Sequence, residues 1–148
     1  LTSVEQLLYE AVIGNAGITS LLATDAGGNV AFYLIQLPQQ GNVYPAGVFQ
    51  RVSSPRLFVM QQVGNQASVG RARFQFTFWG HDAGVLEQID VALLAMFRTF
   101  DAYNSAGSPA TAVQPGFYSY SSRMLTEPQT QPVLQKVMVD VIFWFQDQ

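Results

Sequence analysis

The hydrophobic pattern of this chain changes period abruptly between residues 71 and 100. Arg71, Arg73, Gln75, Thr77 and Trp79 alternate with Ala72, Phe74, Phe76 and Phe78, which predicts a strand with one buried face. After Gly80-His81-Asp82, the residues Val85, Leu86, Ile89, Leu93, Met96, Phe97 and Phe100 recur at spacings of three and four. That spacing predicts an amphipathic helix from about Asp82 to about Tyr103. Upstream, Val4, Leu7, Leu8, Ala11 and Val12 form a helical stripe, with Ser3 and Gln6 at capping-box spacing and Gly14-Asn15 as the stop. A short second helix is expected over residues 18–23, and further strands over 30–37, 48–53, 57–63, 117–124 and 133–145.

Two of these strands carry more than a position in the order. In the second, Val48, Gln50 and Val52 share one face, while Phe49, Arg51 and Ser53 share the other. In the last, Val137, Val139, Val141, Phe143 and Phe145 make one apolar face. Its other face mixes Leu134, Lys136, Met138, Asp140, Ile142 and Trp144, whereas a strand wet on one side alternates cleanly. The mixed face is therefore expected to pack on a helix or on another subunit. The order helix, strands, helix, strands predicts one α+β domain over residues 1–148, with a mainly antiparallel β-sheet packed against an N-terminal helix and one long amphipathic helix.

Composition sharpens the expectation of a covered surface. Of the 148 residues, 49% are hydrophobic and 13% aromatic, and only 11% are charged where about 25% is usual. So few charges leave part of the surface to be covered by a copy of the chain, unless Gln, Asn, Ser and Thr take over the solvating role. With no cysteine, disulfides, thiolate metal sites and cysteine nucleophiles are excluded. The segment 1–13 carries Glu5 and Glu10 and lacks the basic start of a secretory signal, and no uncharged apolar run approaches about 18 residues. An intracellular place of assembly and no membrane partner are expected. A net charge of -3 with seven Lys and Arg argues against tight binding of duplex DNA.

Candidate chemistry is sparse. His81, the sole histidine, precedes Asp82 and is a conceivable general base, but no Gly-x-Ser-x-Gly or other nucleophile signature accompanies it. Asp82 as a helix N-cap explains the pair more simply. Asp82, Glu87 and Asp90 are explained by the helix dipole, and one His with no Cys disfavours a transition-metal site. Neither Gly-x-Gly-x-x-Gly nor a Walker loop occurs, Lys136 is the single lysine, and no cofactor is expected. Arg71 and Arg73 share a strand face, with Arg51 and Arg56 on neighbouring strands, as an electropositive patch or a solvated sheet face. The strand aromatics read as core, since no RNP-type motif surrounds them. The candidate contact residues are thus Arg51, Arg71, Arg73, Lys136, Asp140 and Trp144, with Asn65 and Gln66 in the loop over 64–70.

Four stretches together carry a resemblance. They are the paired N-terminal helices (Val4-Glu5-Gln6-Leu7-Leu8 through Gly17-Ile18-Thr19-Ser20-Leu21-Leu22) and the Pro-flanked loop Leu37-Pro38-Gln39-Gln40-Gly41-Asn42-Val43-Tyr44-Pro45, running into Val48-Phe49-Gln50-Arg51-Val52-Ser53-Ser54. The other two are Arg73-Phe74-Gln75-Phe76-Thr77-Phe78-Trp79-Gly80 before the long helix and the closing Val137-Met138-Val139-Asp140-Val141. In this order of elements the chain resembles the tail-terminator or tail-completion proteins of long-tailed bacteriophages. The resemblance implies a non-enzymatic virion protein, assembled in the host cytoplasm, whose copies form a ring, commonly a hexamer. That ring caps the tail tube, meets the major tail tube protein and the head-completion connector, and lets DNA pass through its lumen without specific binding. Loops 64–70, 104–115 and 126–132 are then expected ring or docking contacts, and the 104–115 loop departs from the family pattern. The alternatives are another phage neck or minor tail protein, a small-ligand or peptide-binding α+β module and, more remotely, a hydrolase built on His81 and Asp82.

Overall fold

A computed structural model describes residues 4–38, 42–53, 56–58, 68–100, 119–127 and 134–146. The N-terminal stripe forms α1 (Val4–Ile13), burying Val4, Leu8 and Val12. The predicted cap Ser3 lies outside the described residues; Gln6 donates to Glu10 Oε1 at 3.2 Å. Asn15 both follows the stop and caps α2 (Ala16–Thr19), its Oδ1 accepting from the Gly17 N–H at 2.9 Å. This second helix starts earlier than its apolar residues suggest, because the cap and not the stripe sets its start.

The sheet consists of β1 (Phe32–Leu34), β2 (Ala46–Ser53), β3 (Arg56–Phe58), β4 (Ser68–Gly80), β5 (Ser119–Glu127) and β6 (Leu134–Gln146). Its order is β1-β2-β4-β6-β5, with β3 beside β4 along the same edge as β2. All described pairings are antiparallel except β1 with β2. The fold is α+β with a mainly antiparallel sheet. The helix α3 (Ala83–Thr99) joins β4 to β5, and β6 then returns between them.

The strand expected over 30–37 shrinks to three residues for a local reason. Ile35 takes φ 75°, and the Gln36 N–H turns back to the Leu34 carbonyl at 2.9 Å, a γ-turn that ends the extended run. Val30 pairs only in an isolated bridge with Thr24. Of the strand expected over 57–63, Leu57 and Phe58 fall in β3, while 59–63 lie outside the described residues.

Period-two alternation puts Ala72, Phe74, Phe76 and Phe78 of β4 on one face, all fully buried. The register sets Val141, Val139 and Val137 of β6 opposite Phe74, Phe76 and Phe78. Onto this face α3 lowers Leu86, Ile89, Leu93, Met96 and Phe97, and α1 and α2 add Leu8, Val12 and Ile18 to the same core. Phe76 and Phe97 meet edge to face at 5.6 Å, and Phe32 stacks on Phe49 at 5.0 Å. Each fully buried Phe contributes roughly 1.5–3 kcal/mol. The helix layer and the hydrophobic core thus occupy one side of the sheet.

Candidate interaction surfaces

The opposite side of the sheet carries no helix among the described residues. There the β4–β6 register sets Trp79 beside Lys136, Thr77 beside Met138, Gln75 beside Asp140 and Arg73 beside Ile142. The edge strand β5 adds Leu125, Arg123 and Ser121 to the rows of Lys136, Met138 and Asp140. On β4 and β6 these side chains are half-buried, apart from the exposed Arg73, and on β5 they are exposed. Towards β2 the face closes, since Ala46 and Val48, in register with Trp79 and Thr77, are buried.

The predicted contact residues do not all gather on this face. Arg73 and Asp140 do, with Arg73 Nη2 3.5 Å from Asp140 Oδ2. Both are substantially exposed, so the pair adds little stability. Lys136 belongs to the same face, half-buried. Arg71 and Trp144 oppose each other in the backbone register; their side chains, with Asn65, Gln66 and the loops 104–115 and 128–132, lie outside the described part of the structure.

Arg51 is a correction. It stands opposite Phe74, on the helix side, where its Nε lies 2.7 Å from Glu5 Oε1 of α1 and its guanidinium sits 5.5 Å from the Phe74 ring centroid. The alternation of β2 placed it with Phe49, and Phe49 faces inward. Arg51 is therefore no part of a patch with Arg73.

Asp82 caps α3 as expected, accepting from the Gly84 N–H at 2.9 Å. That bond occupies the carboxylate oxygen nearest the helix, while His81 lies exposed with its ring edge-on to Tyr44 at 5.5 Å. Glu87 and Asp90 fall beyond the first turn, so the dipole does not account for them. Asp90 instead ties α3 to β5. It accepts from the Tyr120 hydroxyl at Oδ1 (2.5 Å) and from the Ser122 hydroxyl at Oδ2 (2.8 Å). Burial first, then the bond to Asp90, pushes the Tyr120 hydroxyl well above the ordinary phenol range. Burial and then a bond to Asp25 (3.2 Å) raise Tyr33 in the same direction. Nothing local in the sequence signals the Asp90–Tyr120 pair, because the partners are thirty positions apart.

A second surface lies between α2 and α3. It is a groove of about 660 Å³ lined by Gly17, Leu21, Gly84, Glu87, Val91 and Ala92 among others. Val91, at its rim, is 67% exposed although it is a large aliphatic residue.

No family model and no curated protein matches this chain. Among the described residues no three His, Cys, Asp or Glu side chains group as metal ligands, and no helix is long and apolar enough to cross a membrane.

Charge divides unevenly between the two sides. The helix layer and its cap hold Glu5, Glu10, Asp82, Glu87 and Asp90 against Arg51 and Arg98. Among the side chains described, the open sheet face holds Arg73, Arg123 and Lys136 against Asp140; Arg71 and Glu127 fall in its rows by backbone register alone. Among the described side chains one side is thus net negative and the other net positive.

Proposed function

We propose that this chain is a structural subunit of the tail-terminator type, a virion protein whose copies join into a ring at the head–tail junction of a long-tailed phage. The ring, a hexamer as in the family the sequence resembles, caps the tail tube and offers its far side to the head-completion connector. The observation that carries this reading is the one-sided fold. Three helices cover one face of the sheet, while the thirteen-residue strands β4 and β6 present Trp79, Met138 and Ile142 on the other, half-buried and, among the described residues, without a covering layer. A face of mixed apolar and polar character, on a chain with 11% charged residues, suits a protein surface as its partner. Seven cations in the whole chain also suit a lumen that passes DNA without holding it. In this reading the protein works by contact and carries out no turnover.

Light scattering on a sizing column, followed by negative-stain imaging of the protein alone and mixed with tail tubes, tests the proposal. Rings, free or seated on tube ends, are expected. A strictly monomeric protein that also ignores tubes contradicts it.

One observation favours a second reading, a small-ligand or peptide-binding module: the α2–α3 groove has the volume of a ligand pocket. A thermal-shift screen decides between them, since that reading requires a stabilising ligand whose effect Val91→Asp removes.

A further inference from the structure

The two surfaces match each other. On α3, Glu87 and Val91 are both exposed and one helical turn apart, which places them about 6 Å from each other along the axis. On β5, Arg123 and Leu125 both belong to the open sheet face, and two strand residues span about 6.5–7 Å. Leu125 is 38% exposed and Val91 67%. Each surface therefore offers one charge and one apolar side chain at comparable separations, and the two charges have opposite signs. Among the described residues no carboxylate pairs with Arg123, which lies against the Met138 sulfur at 3.8 Å, and no cation pairs with Glu87.

We infer that the α2–α3 groove of one copy receives the β5 end of the open sheet face of the next, with Glu87 meeting Arg123 and Val91 meeting Leu125. The occupant is a second copy of this chain, because the described side chains make the helix side net negative and the sheet side net positive, so the two complement each other within one sequence. The contact uses two different surfaces, so it is heterologous. Repeated, it closes into a ring or runs on as a filament. The inference rests on the proposed self-assembly and supplies its subunit contact. Gly17, Gly84 and Ala92 add little side-chain bulk to the lining of the groove.

The absence of cysteine makes the test direct. Val91→Cys and Leu125→Cys variants, mixed under mild oxidation at high concentration, are expected to form a disulfide-linked dimer that neither forms alone. A chain carrying both substitutions is expected to give a ladder of oligomers. In parallel, Glu87→Lys and Arg123→Glu should each weaken self-association about tenfold or more, and the double reversal should recover it. Both side chains are exposed, so the unfolding midpoint of each variant stays near that of the parent and loss of association is not loss of fold. No preferential cross-link, or charge reversals that leave association unchanged, overturns the contact even if rings form. Cross-linked species that image as open filaments uphold the contact and overturn the ring.

Discussion

Replacing Gly47 by alanine puts a methyl group into space already taken. A Cβ at this position would lie 2.5 Å from both Cδ1 and Cε1 of Phe78 and 3.0 Å from Cδ1 of Phe32. Carbon atoms in good contact sit about 3.5–4.0 Å apart, so Phe78 would have to retreat by about 1 Å. It has nowhere to go. Phe78 is fully buried, and Phe32, stacked beside it at 6.0 Å, is held by Phe49 on its other contacts at 5.0 Å. Overpacking of this kind costs about 2–3 kcal/mol, the upper part of the usual range. For a chain of this length that lowers the thermal midpoint by about 6–12 °C. The sign is informative, because backbone entropy alone favours alanine over glycine in a strand by roughly 0.5–1 kcal/mol. Urea and thermal unfolding followed by circular dichroism measure the difference, and Gly47→Ala combined with Phe78→Leu should recover part of the loss. An unchanged or raised midpoint for Gly47→Ala refutes the packing of β2 against β4 described above.

Other substitutions probe the joints between elements. Tyr120→Phe removes the hydroxyl held by Asp90 and should cost about 1–2 kcal/mol at neutral pH, measured by urea unfolding. Because the folded Tyr120 ionises above the unfolded value of about 10, its stabilisation is complete below pH ~10 and declines as pH rises beyond it. Thermal midpoints between neutral pH and pH ~11 should therefore fall less steeply for Tyr120→Phe than for the parent, and parallel profiles contradict the pairing. Asp82→Ala removes the α3 cap and should cost about 1 kcal/mol, whereas a neutral result places the helix start elsewhere. Ile35→Gly relieves a β-branched residue at φ 75° and should raise stability by roughly 1 kcal/mol in equilibrium unfolding; a loss shows that the exposed Ile35 side chain packs in solution.

The long elements were readable from the sequence because each carries many repeats of one period. Leu86, Ile89, Leu93, Met96 and Phe97 all bury as their spacing predicts, and so do the alternate residues of β4. The inward face of β6 follows from Val137, Val139, Val141 and Phe143 in the same way. Short elements were less legible. In the 30–37 run nearly every residue is apolar, so nothing in the pattern reveals that Ile35 reverses the chain. Pairing across long separations was hidden altogether. The parallel β1–β2 pair and the Asp90–Tyr120 bond both depend on where the chain returns, not on local composition. Alternation sets Arg73 opposite the inward phenylalanines of β4, and Lys136 and Asp140 opposite the inward valines of β6; it takes the β4–β6 register to bring the three to one face. Arg51 shares the arginines' sheet and not their face, since it alternates with Phe49 and Phe49 points inward.

Self-assembly through the open sheet face is read most simply from the oligomeric state of the protein with and without tail tubes. Closed rings are expected in negative stain, formed at high concentration or on tube ends, with a mass several times the 16.3 kDa of one chain. A chain that remains a 16.3 kDa monomer under both conditions contradicts it.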